Sequence, residues 1–187
     1  MDSILDYLFE AGMLKRIRRS GWWSEKVEMP ESVADHTFRA AVVAFLLAKM
    51  EGLPDDSANR VCVAAVFHDM HETRLLDLNK ITARYIRVDE SLEHKVEADQ
   101  VRKMPKELKV SVLHALRLSD REQMILKDAD YLECAIQARE YADVGYDTSR
   151  WVVNISKRLQ TASAKALADK LKKADSGRWK DGLKRLD

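Results

Sequence analysis

The stretch Asp56-Ser-Ala-Asn-Arg-Val-Cys-Val-Ala-Ala-Val-Phe-His-Asp-Met-His71 decides the fold. Val61, Ala64, Ala65 and Phe67 recur at helical spacing, so the segment reads as an amphipathic helix with those four residues as its buried face. Its polar end is unusual: His68 and Asp69 are adjacent, and neighbours on a helix point about 100° apart. They converge on one point only around something small, and a divalent cation is the natural candidate.

The same period extends in both directions. Upstream, Ser32 with Asp35 three positions on resembles a capping box and opens a helix through Met50, stopped by Gly52 and Pro54. Before it lie an apolar stripe behind Asp2/Ser3 that fades near Ile17, and an irregular stretch over residues 18–31. Downstream, residues 72–87 read as a long, partly helical connection. Helices are expected over 91–103 and 105–118, from Arg121 to Asp143, from Ser149 to Lys173, and in a short piece to Leu186. No run of alternating apolar residues argues for a sheet. The expectation is an all-α, single-domain helical bundle over residues 1–187, with its core at about 5–145 and C-terminal helices at about 149–186.

Composition narrows the function. The chain has 187 residues, 46% hydrophobic and 34% charged, with three prolines and six glycines, which suits a packed helical domain and not a disordered chain. A net charge of +1 gives no general pull toward nucleic acid or anionic membrane. The longest apolar stretch, Ala40–Ala48, is too short to span a bilayer, and no secretory leader is evident. Cys62 and Cys134 sit in apolar periodic segments and read as small buried hydrophobes, so a reducing cytoplasm is expected.

Two further residues match the His68-Asp69 pair. His36 lies near the start of its helix, and antiparallel packing against the 56–71 helix brings it to His68 and Asp69. Asp130 lies mid-helix beside Leu126, Leu132 and Ile136, where an unpaired buried carboxylate is costly. Two imidazoles and two carboxylates suit one first-row divalent ion with positions left open for water.

The order His36…His68-Asp69…Asp130 resembles the HD superfamily of metal-dependent phosphohydrolases, and within it the HD-domain 5′-deoxynucleotidases. The resemblance rests on Gly21-Trp22, the string Pro30-Glu-Ser-Val-Ala-Asp-His36, His68-Asp69-Met-His-Glu72, Asp77, Asp130 and the pair Glu140-Tyr141, and it covers most of residues 5–145. It implies an HD bundle with one divalent ion (Mn, Co, Zn, Ni, Fe or Mg) held between helices by His36, His68, Asp69 and Asp130. It implies further that Glu72 is the general acid/base and that Asp77 accepts a hydrogen bond from the sugar 3′-hydroxyl. Trp22 becomes a rigid wall excluding a 2′-hydroxyl, Arg18 or Arg19 reaches the phosphate, and Lys80 is an additional phosphate or sugar contact. The substrate implied is a deoxynucleoside 5′-monophosphate and the assembly a homodimer, for which apolar positions from Trp151 to Ile155 are an available surface.

The sequence departs from that pattern at Gly21, where bacterial members carry arginine, at Leu76, where glycine is frequent, and at Tyr131, where lysine is frequent. His71-Glu72 does not begin a zinc-protease motif, because position 75 is leucine. His94 and His114 lack the setting expected of ligands to a second ion. Two alternatives stay open: an HD phosphodiesterase or broader phosphatase, and a non-catalytic nucleotide- or RNA-binding module using Lys15–Arg19 with Trp22 and Trp23.

Overall fold

The computed structural model describes residues 1–86 and 89–184. Its helices are α1 (Asp2–Ala11), α2 (Val33–Met50), α3 (Asp55–Phe67), α4 (Glu72–Leu75), α5 (Glu90–Gln100), α6 (Lys106–Ala115), α7 (Asp120–Asp143), α8 (Ser149–Ser156) and α9 (Ala162–Leu171). Among the described residues there is no strand, only an isolated bridge between Arg18 and Ser32. None of their helices is long and apolar enough to cross a membrane.

Three helices make the frame, α2 packing against both α3 and α7. Small residues set the closeness of that packing: Ala40, Ala44, Ala48, Ala58, Ala64, Ala65, Ala129 and Ala135 are almost fully buried. Leu47, Val61, Ile125 and Leu132 fill the space between. The helix starts are fixed by side chains. Ser32 and Asp35 close the expected capping box on α2, and Ser119 and Glu122 close another on α7. Glu122 also accepts from Arg60 of α3 at 2.9 Å, which ties the start of α7 to its neighbour.

Several boundaries differ from the sequence expectation. The first helix ends at Ala11 and continues as a 3₁₀ turn over Gly12–Lys15, and the irregular stretch holds a second such turn at Ser20–Glu25. The third helix ends at Phe67, so His68 and Asp69 sit in a tight turn leading to α4. The stretch expected as one helix from Ser149 to Lys173 is two. Buried Asp128 of α7 accepts from the backbone N–H groups of Gln160 and Thr161 at 3.0 and 2.7 Å and from the Thr161 hydroxyl at 2.7 Å, pinning a break just before α9. The short final helix expected to Leu186 shows only a 3₁₀ turn at Arg178–Lys180, and residues 185–187 lie outside the described residues. The apolar positions from Trp151 to Ile155 largely pack inward, with Val152 and Ile155 buried, and so are not a free interface.

Candidate metal centre

His36 is fully buried in the first turns of α2. Its Nδ1 is in short contact with Glu133 of α7, which leaves Nε2 as the atom facing the site. That atom lies 3.2 Å from Asp130 Oδ1 and 3.7 Å from Asp69 Oδ2. His68, the first residue after α3, donates Nδ1–H to the Ala65 carbonyl at 2.7 Å, and its Nε2 lies 3.2 Å from Asp69 Oδ2. Both imidazoles therefore present Nε2 to Asp69, and His36 presents it to Asp130 as well. The structure brings His36, His68 and Asp69 into one cluster and His36 and Asp130 into an adjoining one with Cys134, the two sharing His36.

The donor set fits a cation. Ligand atoms about 2.1 Å from one ion stand roughly 3.0–3.4 Å apart, close to the separations above. His36 Nε2, His68 Nε2 and Asp69 Oδ2 are buried with no aligned hydrogen-bond partner, and so is Glu72 Oε2. Buried polar atoms are rarely left so. The carboxylates dominate the charge around His36. Burial and the Arg19 charge push the His36 imidazole down, yet Asp130 and Glu133 outweigh them and raise its pKa well above the ordinary value. Burial pushes Asp130 up, but His36 and Arg19 hold its carboxyl well below the usual range.

Arg19 reaches into this ring and Arg18 does not. The Arg19 guanidinium lies 3.6 Å from Asp69, 3.5 Å from Asp77 and 4.0 Å from Asp130, and donates to Cys134 Sγ at 3.0 Å. Arg18 instead donates to the Pro30 carbonyl. Cys134 was expected only as a small hydrophobe, but its sulfur faces the site, where burial pushes the thiol up to about 11 and keeps it neutral. Glu72 opens α4 beside Asp69, and burial together with Asp69 and Asp77 raises its pKa to about 9. Asp77 accepts the Ser20 backbone N–H at 2.5 Å, so the loop after α4 clasps the 3₁₀ turn that carries Trp22.

These groups line one cavity of about 660 Å³, within the range that takes a small ligand. Lys80 lines it too, with its ammonium over the Tyr131 ring. Leu126, Ile155 and Trp151 give the cavity an apolar portion, so α8 contributes to the site although its sequence gave no such signal. Trp22 is only 1% exposed. Its indole stacks on Trp151 at 4.2 Å between ring centres and donates to Glu31 at 3.0 Å, so it forms a stiff edge of the cavity as well as part of the core. Gly21 has a local cause: a Cβ there would lie 2.9 Å from the Trp151 ring. His94 and His114 are exposed and outside the cavity lining.

Glu133, Arg39 and Glu31 were not singled out from the sequence. A signal existed: Asp130, Glu133, Gln137 and Glu140 recur at three- and four-residue spacing, a polar stripe along one face of α7.

The sequence profile of the HD domain family matches residues 11–172. The chain is 30% identical over 156 residues to the 5′-deoxynucleotidase HDDC2 of Homo sapiens, covering 79% of this chain and 72% of that protein. The same protein of Bos taurus is 32% identical over 150 residues, covering 76% and 69%. A conserved hypothetical protein from Pyrococcus furiosus superposes with a TM-score of 0.69 at 31% identity, covering 91% of this chain and 99% of that one. The HD phosphohydrolase DatZ of cyanophage S-2L, bound to dA and one catalytic Zn²⁺, superposes with a TM-score of 0.58 over 89% and 96% of the two chains. At 14% identity that likeness concerns the fold.

Proposed function

The chain belongs to the HD domain family, and on that premise we propose that it is a metal-dependent phosphohydrolase that removes the 5′-phosphate from deoxynucleoside monophosphates. The observation that carries the reading is the pair of Nε2 atoms turned onto Asp69 and Asp130 with no hydrogen-bond partner of their own. His36, His68, Asp69 and Asp130 would hold the ion. Bound there, a divalent cation supplies Lewis acidity toward a phosphate oxygen and lowers the pKa of water.

The remaining steps fall to this chain's side chains. Arg19, the cation already facing the carboxylates, pairs with the phosphate. Glu72 takes a proton from the attacking water and returns it to the 5′-oxygen as the bond to phosphorus breaks, giving a deoxynucleoside and inorganic phosphate. Burial and the Asp69 and Asp77 charges raise its pKa in the metal-free site, and a cation held by Asp69 would oppose that rise and leave the carboxylate ionised to accept the proton. Asp77 has one oxygen committed to Ser20, and its other is offered to the 3′-hydroxyl. Trp22, braced by Trp151, resists the displacement that a 2′-hydroxyl would require. Lys80 adds positive charge at the rim, and the base takes the apolar portion.

A second copy of the chain is the partner we propose for the exposed apolar residues of α2 (Phe38, Val42 and Leu46) and of α3 (Val63 and Val66). The two free cysteines suit a reducing compartment.

The test is phosphate release from deoxynucleoside 5′-monophosphates, ribonucleotides, 3′-monophosphates and a bis-p-nitrophenyl diester, after EDTA and after metal is added back. Release confined to 5′-deoxynucleotides and dependent on metal is the expected result. Turnover of the diester alone would replace this reading with the phosphodiesterase one, and no turnover with any metal would leave the binding module.

A further inference from the structure

The pair Glu140-Tyr141 carried part of the family resemblance, yet neither residue lines the cavity. Their contacts explain them. Glu140 receives both its carboxylate contacts from Arg39 Nη1 at 2.7 Å. Arg39 Nε donates to Glu133 Oε1 at 2.8 Å, and its other nitrogen reaches Gln137. The second oxygen of Glu133 meets His36 Nδ1. The chain Glu140–Arg39–Glu133–His36 thus runs from an accessible carboxylate, 40% exposed at its side chain, to a wholly buried imidazole. Tyr141 flanks it, accepting the Glu31 backbone N–H at 2.8 Å.

We infer that Glu133, held in place by Arg39 and Glu140, is a positioning residue that fixes the tautomer and ring orientation of His36 and so sets the affinity of the site for its ion. The inference rests on the metal-site reading above and assigns this relay a part in it. An imidazole that keeps its proton on Nδ1 by donating to a carboxylate must offer the lone pair of Nε2. A carboxylate partner also makes that nitrogen a better donor, and loss of such a partner typically costs about 10–100-fold in metal affinity. Arg39 contributes geometry: with Nε on Glu133 and Nη1 on Glu140, it stops the Glu133 carboxylate from rotating away. Lysine has no such fork and cannot substitute for it.

His68 is the internal contrast. Its Nδ1 donates to the neutral Ala65 carbonyl on its own helix turn. One ligand histidine is therefore oriented by local backbone and the other by a charged relay spanning two helices. Only the second can be altered by changing side chains.

The experiment measures Mn²⁺ and Zn²⁺ affinity by competition with a chromophoric chelator, alongside nitrogen-15 imidazole shifts and thermal midpoints of the metal-free proteins. Wild type is expected to bind one ion per chain with His36 protonated at Nδ1. Glu133→Gln should weaken binding about 10–100-fold and disturb the His36 shifts while leaving those of His68 in place. Arg39→Lys should weaken binding less, and Glu140→Gln by only a few-fold. A folded Glu133→Gln protein with wild-type affinity and unchanged His36 shifts would overturn the inference. Should Glu133→Gln fail to fold, Arg39→Lys and Glu140→Gln carry the same test, and wild-type affinity in both would overturn it equally. Absence of metal binding by wild type would sink the metal-site reading instead, with the His36 shifts still deciding whether Glu133 orients the ring.

Discussion

Asp128 and Asp130 stand two residues apart on α7 and face opposite parts of the molecule. Asp128 looks toward the start of α9, where backbone N–H groups and a hydroxyl surround it. Asp130 looks into the cavity, where its nearest partners are an imidazole nitrogen at 3.2 Å and a distant guanidinium. Both are aspartates on one helix in similar local sequence. What separates them is completeness: the first carboxylate has its partners within the protein, and the second stands among buried atoms that lack theirs. A satisfied buried carboxylate holds a fold together, whereas an unsatisfied cluster is held by the fold for something else.

Making the same change at both positions sharpens that contrast most. Asp130→Asn should lower phosphate release by about 10³-fold or more, equivalent to ~4 kcal/mol of barrier, with the thermal midpoint of the metal-free protein little changed. Steady-state turnover with saturating metal and a melting curve of the same preparation check both halves. Asp128→Asn should do the reverse, because an amide puts a donor against the donors at the start of α9. Loss of those contacts should cost about 2–3 kcal/mol, roughly 4–12 °C in midpoint, with kcat retained in the folded fraction. Equal loss of activity in the two variants would break the distinction.

Legibility in the sequence follows the same line. The frame of α2, α3 and α7 could be read because apolar period and capping boxes are local signals, and Ser32 with Asp35 announces its helix unaided. His36, His68, Asp69 and Asp130 could be read because metal-ligating types at separated positions are rare together. Asp128 was invisible, since its partners lie more than thirty positions away, at Gln160 and Thr161. The break between α8 and α9 was missed for the same reason. Cys134 and Glu133 looked like ordinary interior and surface residues, and only the packing of α7 on α2 turns them toward Arg19 and His36. Gly21 and Trp151 form another such pair, 130 positions apart and each explained by the other.

The start of α7 offers a smaller test through pH. Glu122 completes the capping box and pairs with Arg60; burial raises its pKa, but those hydrogen bonds and the Arg60 charge outweigh it and lower the carboxyl from 4.5 to about 2. A carboxyl depressed in the folded state contributes stability that is fully present above its unfolded pKa and is lost as pH falls through the folded one. Between about pH 4.5 and pH 2 the wild type should therefore lose this contribution while Glu122→Ala, already lacking it, falls less steeply. At neutral pH the variant should be about 1–2 kcal/mol less stable, measured by urea denaturation. Because α7 carries Asp128 and Asp130 alike, this change should leave their contrast intact, and a selective loss of metal affinity would show that the helix start tunes the cavity side.

The smallest effect concerns Leu76, which lies between the proposed acid/base Glu72 and Asp77. Its backbone has φ of 65° and ψ of 166°, a region that only glycine enters freely and that costs other residues about 1–3 kcal/mol. The side chain is 58% exposed, so it recovers little by burial. Leucine is held there because both flanks are tied down: Asp77 by Ser20, and α4 by the Arg74 pairs with Glu10 and Asp99. Leu76→Gly removes the strain but frees the unfolded chain, which offsets about 0.4–1 kcal/mol of the gain. Loss of the contacts made by the covered part of the side chain takes a further share, so the net expectation is a rise of up to about 1 kcal/mol in stability, with KM for a deoxynucleotide unchanged. A stabilised protein with impaired kcat would mean that the strained backbone holds Glu72 in a position the relaxed one abandons. The loop would then belong with Asp130, as structure kept under tension for the site, and not with Asp128.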